Sequence, residues 1–185
     1  MQLKQPNPIL IETPRMNLIG YSVEEISYIF EKFEKSDIMK VLGHRNEADF
    51  QSELSKHQNG YATYNRSFLM FLLCDKPTQQ VIGRCGLHNW NKEHKRAEIG
   101  YSMSDERFKQ KGLMSEAVAA IIHYGFHTLQ LNRIEALVGS ENVASLKIIE
   151  SQNFIKEGVL RDHYAVGDGY EDSIAFSLLR REYFE

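Results

Sequence analysis

Three short stretches hold residue types whose spacing could do chemistry. The first is Glu106-Arg107-Phe108-Lys109-Gln110-Lys111-Gly112, a loop between a strand pattern ending at Met103 and a long amphipathic helix pattern. The first N–H groups of a helix have no partner within it, and the helix dipole favours an anion there. Gly112 lets the backbone approach such an anion without an intervening Cβ, and Lys109 and Lys111 add positive charge. Taken alone, a glycine at this junction is first of all a turn residue. The Gly-x-x-x-x-Gly-Lys-Ser/Thr order of a phosphate-binding P-loop is absent.

The second stretch is Ala97-Glu98-Ile99-Gly100-Tyr101-Ser102-Met103. On a strand, Ala97, Ile99 and Tyr101 share one face, and Glu98, Gly100 and Ser102 share the other. Glu98 is either a strand carboxylate in a salt bridge or in solvent, or a general base, direct or through water, for an incoming amine. The third stretch pairs Asn142 with Ser145 at the start of a helix pattern. Asn is a good N-cap and Ser145 would stand three residues on, so capping alone accounts for Asn142. Tyr164 and Tyr170 are further phenol donors that the sequence does not rank.

Other signals point to packing. His123 and His127 have the spacing of helical zinc ligands, but Tyr124 stands where a metalloprotease has its glutamate. A lone pair on a core-packed helix is read as structural, so no metal site is assigned. Trp90, with His88 and Asn89, could line a cleft, but packing is favoured. Cys74 and Cys85 form no Cys-x-x-Cys pair and read as free buried thiols.

The elements that must position these residues follow from patterning. Ile9 to Tyr21 reads as strand, interrupted at Thr13-Pro14. Ser22 followed by Glu25 is a capping box, with Ile26, Phe30 and Phe33 on one helical face. Short helices follow at Asp37–Leu42 and from Glu47 to about Tyr64. Phe68–Cys74, Val81–Trp90 and Arg96–Met103 read as an antiparallel meander. Gly112 opens a helix to about Leu129, with Val118, Ile121, Ile122, Gly125, Phe126 and Leu129 inward. Then come strand Arg133–Val138, helix Asn142–Gln152, and strands Phe154–Val166 and Tyr170–Leu179, joined at Gly167-Asp168-Gly169. Without strict βαβ alternation the class is α+β.

The 185 residues fit one domain spanning 1–185, with no linker or repeat. Twenty-two basic residues against 25 acidic give a net charge of −3, which argues against general nucleic-acid binding. The sequence has no apolar run of bilayer length, and Met1 to Pro8 lacks a signal-peptide stretch. No direct nucleic-acid or membrane partner is expected, and the expected location is the cytoplasm.

Together the stretches resemble the GNAT N-acetyltransferases. Ala97-Glu98-Ile99-Gly100-Tyr101, then Gln110-Lys111-Gly112-Leu113-Met114-Ser115-Glu116-Ala117, are similar to the family's acyl-CoA-binding motif. Leu131 to Ala136 resembles its next strand, Asn142 to Phe154 its second motif, and Glu157 to Arg161 with Tyr170 to Tyr183 its closing hairpin. Glu12-Thr13-Pro14-Arg15-Met16-Asn17-Leu18 resembles the opening strand. The similarity runs from about residue 11 to 183, nearest to the RimJ/RimL-like ribosomal-protein alanine N-acetyltransferases. Two positions depart from the family pattern. The loop has Lys109 first and Met114 last, which is tolerable if Met114 points into the core. Asn153 replaces a glycine after a helix, and Asn is the next-best residue for a left-handed helix end.

The resemblance implies a largely antiparallel GNAT-like central sheet flanked by helices, and acetyl-CoA as cosubstrate with no metal. It implies direct transfer to a primary amine, most simply a protein or peptide N-terminus; antibiotics or polyamines are the small-molecule alternative. Ser102, Met103, Gln110, Lys111, Gly112, Leu113, Met114, Ser115, Asn142 and Ser145 are the implied acetyl-CoA contacts. Asn142 would bond the pantetheine arm, Ser145 would protonate the leaving thiolate or orient water, and Glu98 would be the base. A backbone N–H near the end of the Glu98 strand would polarise the thioester carbonyl. Homo-oligomerisation is left open. The rival is a non-catalytic acyl-CoA-binding module on the same fold, which thioester consumption with an amine panel would separate.

Overall fold

A computed structural model describes residues 7–60 and 67–185. Thr13 and Pro14 split the first strand pattern into β1 (Ile9–Glu12) and β2 (Met16–Ser22). The capping box forms: Glu25 N–H donates to Ser22 Oγ at 3.4 Å, and Ser22 N–H donates to the Glu25 carboxylate at 2.8 Å. It opens α1 (Val23–Lys32), which buries Ile26 and Ile29; Phe33 caps the end rather than lying on the helix face. Then come α2 (Lys35–Val41) and α3 (Glu47–Asn59). The expected extension of α3 toward Tyr64 lies outside the described residues, as do Met1 to Pro6.

The meander is β3 (Ser67–Asp75), β4 (Val81–Asn91) and β5 (Arg96–Met103). After a 3-10 turn at Glu106–Phe108, α4 (Leu113–His127) runs for four turns; Leu129 lies beyond its end, half-buried against the core. The chain closes with β6 (Arg133–Gly139), α5 (Val143–Ser151), β7 (Ile155–Val166), β8 (Gly169–Leu179) and a short α6 (Arg180–Phe184). The last helix and the 3-10 turn go beyond the elements read from the sequence.

The described strands form one eight-stranded sheet in the order β1-β2-β3-β4-β5-β6-β8-β7. All pairs are antiparallel except β5 with β6. The fold is therefore the mixed, largely antiparallel α+β sheet expected. Alternation along β4 and β5 sends Leu87, Ala97 and Ile99 to the core shared with α4. A second core packs Tyr21 and Leu72 against Ile26, Ile29 and Ile38. Met114 lies in the main core at 8% exposure, which removes the objection to it in the loop motif. Asn153 takes the left-handed conformation at φ +60°.

Candidate active site

The site begins where the sheet opens. β5 pairs with β6 only at Arg96, Ala97 and Glu98, opposite Arg133, Ile134 and Glu135. Beyond Glu98 the parallel strands part. Ser104 N–H donates to Ile82 O on the β4 side, while Arg133 N–H donates to Lys95 O on the β6 side. The two-residue repeat therefore turns the N–H groups of Tyr101 and Met103 toward the gap. A wedge lined by main-chain donors results; Met103 is half-buried, while Ser102, whose N–H the same repeat turns toward β4, is exposed on the Glu98 face.

Two helices flank the wedge. α4 starts at Gly112, whose φ is +72°, the left-handed region where glycine alone pays no Cβ penalty. No side chain caps this helix; its first internal bond is Glu116 N–H to Gly112 O at 3.1 Å. The N–H groups of Leu113, Met114 and Ser115 precede that bond, so they have no intrahelical partner. Gln110 is also left-handed at φ +58°, and Gln110, Lys111 and Gly112 are all exposed. Lys109 is tied to Glu106, while Lys111 sits 5.6 Å above the Phe108 ring. A Cβ on Gly112 would meet only Arg15 Nη2, at 3.5 Å. The loop is thus open on its outer side, with three main-chain donors that have no intrahelical partner at its helix end, and that geometry fits a pyrophosphate.

Arg15 braces the same loop, a role the local pattern did not reveal. Its Nη1 donates to Lys111 O at 2.7 Å, and its Nε donates to Glu116 at 2.6 Å. Burial works to raise the Glu116 carboxyl, but hydrogen bonds from Thr13 and Arg15 outweigh it and hold the group below its ordinary value.

α5 closes the other side. Asn142 Oδ1 accepts from Ser145 N–H at 3.1 Å, so the cap is real and leaves the amide nitrogen as a donor. Ser145 is half-buried. Tyr101 Oη donates to Ser145 O at 3.4 Å, spanning the wedge from β5 to α5. Burial raises the Tyr101 phenol, which keeps it protonated. At the other end Gln152 reaches Ser115 Oγ at 3.4 Å, joining α5 to the start of α4. Tyr164 and Tyr170, by contrast, are 51% and 71% exposed on the closing hairpin.

On the opposite face Glu98 is buried at 9% exposure. Asn89 Nδ2 donates to its Oε2 at 2.8 Å, and His88 Nε2 lies 3.7 Å from its Oε1. Glu98 is therefore a paired, interior carboxylate rather than a solvated one. Beside it lies a groove of about 380 Å³, lined in part by Glu53, Arg84, His88, Gly100 and Ser102. This is within the size range of small-ligand sites.

Residues 15–155 match the model of the GNAT acetyltransferase domain. The chain belongs to the GNAT acetyltransferase family. This GNAT chain is 47% identical to the uncharacterized N-acetyltransferase p20 of Bacillus licheniformis over 113 residues, 61% of the chain and 63% of p20. It is 30% identical to the uncharacterized N-acetyltransferase YoaA of Bacillus subtilis (strain 168) over 175 residues, 94% of the chain and 98% of YoaA. Relatives from Escherichia coli include a ribosomal-protein-serine acetyltransferase, 30% identical over 122 residues, 66% of the chain and 63% of that protein. They also include a spermidine N(1)-acetyltransferase, 29% identical over 93 residues, half of each chain. In fold, the chain superposes on a GNAT acetyltransferase from Bacillus anthracis with a TM-score of 0.67, covering 94% of this chain and all of that one. The family uses acetyl-CoA as cosubstrate, and the relatives' names span protein and polyamine acceptors.

The other residues singled out have neighbours of their own. His123 and His127 are exposed rather than core-packed: their rings stack at 4.0 Å, and His123 Nδ1 lies 3.0 Å from Tyr183 Oη, tying α4 to α6. Trp90 packs partly buried against the core, with Lys92 4.9 Å from its ring. Both cysteines are free; Cys85 is buried and Cys74 half-buried, and burial pushes both thiols up. Among the described residues, no helix is long and apolar enough to cross a membrane.

Proposed function

We propose that this chain transfers the acetyl group of acetyl-CoA directly to a primary amine, and that the amine is the N-terminus of a protein or peptide. The observation that carries the transfer is the parting of β5 from β6 after Glu98 beside the uncapped start of α4. Acetyl-CoA supplies an activated thioester. The N–H groups of Leu113, Met114 and Ser115, with Gly112 giving close approach, would hold its pyrophosphate. Gln110 and Lys111 would border it, and the Met103 N–H with the Asn142 amide would hold its arm beside Ser102. The Tyr101 N–H would face the thioester carbonyl, and Ser145 would be the nearby hydroxyl for the departing thiolate. Holding acyl donor and amine on two sides of one strand replaces a bimolecular encounter with an oriented one.

The acceptor follows from acidity and charge. Attack needs a neutral amine, and at pH 7 roughly 9–17% of an α-amino group is neutral against roughly 0.04% of a lysine side chain. That is about 3.5 kcal/mol less deprotonation to supply for the α-amine. The groove also suits a polycation poorly: its Glu53 is engaged by Arg84 at 2.7 Å and Lys56 at 3.7 Å. The test is kcat/KM for an Ala- or Ser-initiated peptide, an N-blocked lysine peptide and a polyamine. The reading expects the free N-terminus to lead. Preference for the blocked lysine peptide or the polyamine overturns the acceptor.

A further inference from the structure

We infer that His88, rather than Glu98, takes the proton from the acceptor amine, with Glu98 acting behind it as a positioning carboxylate. The inference rests on the acetyl-transfer reading above and deepens it.

His88 is among the residues that line the acceptor groove; Glu98 is not. The side chains are 45% and 11% exposed, so an amine in the groove meets the imidazole before the carboxylate. Glu98 is also committed, with one oxygen held by Asn89 at 2.8 Å and the other facing His88 Nε2 at 3.7 Å. Consecutive strand residues should point to opposite faces, yet His88 and Asn89 both reach Glu98. A register shift between His88 and Asn91 makes this possible, with Asn89 in the left-handed region at φ +49°. Irregularities of this kind re-aim side chains beside active sites.

Gly100 completes the arrangement. A Cβ there would lie 2.7 Å from His88 Nε2, so the imidazole rests against bare backbone and any larger residue displaces it. The charged groups facing this end of the groove are Glu98 on β5, Arg84 on β4, and Glu53 and Lys56 on α3. Arg84 and Lys56 are both drawn to Glu53, which leaves Glu98 as the carboxylate partner of His88.

The proton balance is simple. With Nε2–H directed at Glu98, Nδ1 of His88 accepts one proton from the acceptor ammonium. The freed nitrogen lone pair bonds the acetyl carbon, and the carbon–sulfur bond breaks. The second amine proton goes to sulfur to give the free thiol, and the imidazolium returns its proton to solvent through its exposed face. Such a nucleophile–base–carboxylate order is the general logic of oriented bases.

The experiment compares the parent with His88→Gln, Glu98→Gln and the double variant. It reads kcat, KM and their pH dependence with an N-terminal peptide, and CoA affinity by calorimetry. His88→Gln should lower kcat by about 10²-fold and erase the acidic limb of the profile, with CoA affinity unchanged. Glu98→Gln should lower kcat with little change in the KM for the peptide, and the double variant should be no worse than His88→Gln. A His88→Gln enzyme with the parent's rate and profile, beside an inactive Glu98→Gln, overturns the assignment and leaves acetyl transfer standing. If the parent acetylates no peptide, blocked lysine peptide or polyamine, acetyl transfer itself fails and the proton step with it. A Glu98→Gln enzyme with the parent's kcat and pH profile overturns the dyad.

Discussion

Replacing Gly112 by glutamate separates the fold of the loop from its anion-binding role. Gly112 stands at φ +72°, and the left-handed region costs an L-residue roughly 1–2 kcal/mol. Loss of glycine's freedom in the unfolded chain returns about 0.4–1 kcal/mol. A new Cβ meets only Arg15 Nη2 at 3.5 Å, an ordinary contact, so packing adds no penalty. The net cost is about 1 kcal/mol, or about 2–4 °C in Tm for a chain of this size. Gly112→Ala carries that backbone cost alone. Gly112→Glu adds a carboxylate that the helix dipole itself favours, so it should fold no worse. For a bound pyrophosphate, however, a like charge about 4 Å away costs about 1 kcal/mol in water and more at lower effective dielectric. CoA affinity should therefore fall about 5- to 30-fold for roughly 1–2 kcal/mol, and the gap between variants should narrow as salt is raised. Isothermal calorimetry with CoA, on variants whose Tm has been measured, reads both numbers. A folded Gly112→Glu protein that binds CoA as tightly as the parent would refute the loop assignment.

Two further outcomes follow from the same geometry. Ser145→Ala should lower kcat by about 10²-fold with little loss of CoA affinity if its hydroxyl serves the thiolate; if Tyr101→Phe loses the rate instead, the phenol that spans the wedge is the donor. In the acid, Arg133 first and then Ser177 hold the Glu157 carboxyl down to about 2 by hydrogen bonds. A depressed carboxylate contributes stability that is complete above its unfolded value of about 4.3 and is lost as pH falls through the folded one. Because Glu157 is part-exposed the amount is small, and thermal melts of Glu157→Gln between neutral pH and about pH 2 should show a flatter acid decline than the parent.

What was legible in the sequence is what short range decides. Ser22 and Glu25 announce their helix because both bonds close within three residues. Asn142 declares its cap for the same reason. Gly112 and the inward helix positions are set by backbone conformation and period. The site's other half depends on distant partners. Arg15 reaches Lys111 and Glu116 across about a hundred residues, and Tyr101 reaches Ser145 across 44. No period encodes those contacts; Arg15 meets the loop because α4 packs over β2, and Tyr101 meets Ser145 because β5 leaves β6 after Glu98, both properties of sheet topology. The two readings of Glu98 could not be parted from alternation alone, because the shift after His88 brings Asn89 to the carboxylate against the rule that neighbouring residues face apart. His123 and His127 read from the sequence as core packing, yet they are exposed and their partner is the C-terminal helix, which the strand-like pattern before it conceals.

The central claim is acetyl transfer to an amino terminus, and one competition tests it. A peptide with a free N-terminal alanine and an internal lysine is incubated with the protein and acetyl-CoA, and the acetylated position is read by tandem mass spectrometry. The account predicts a single acetyl group on the α-amine, appearing with stoichiometric release of CoA thiol. Acetylation of the lysine alone, or thiol release without an acetylated peptide, would contradict it.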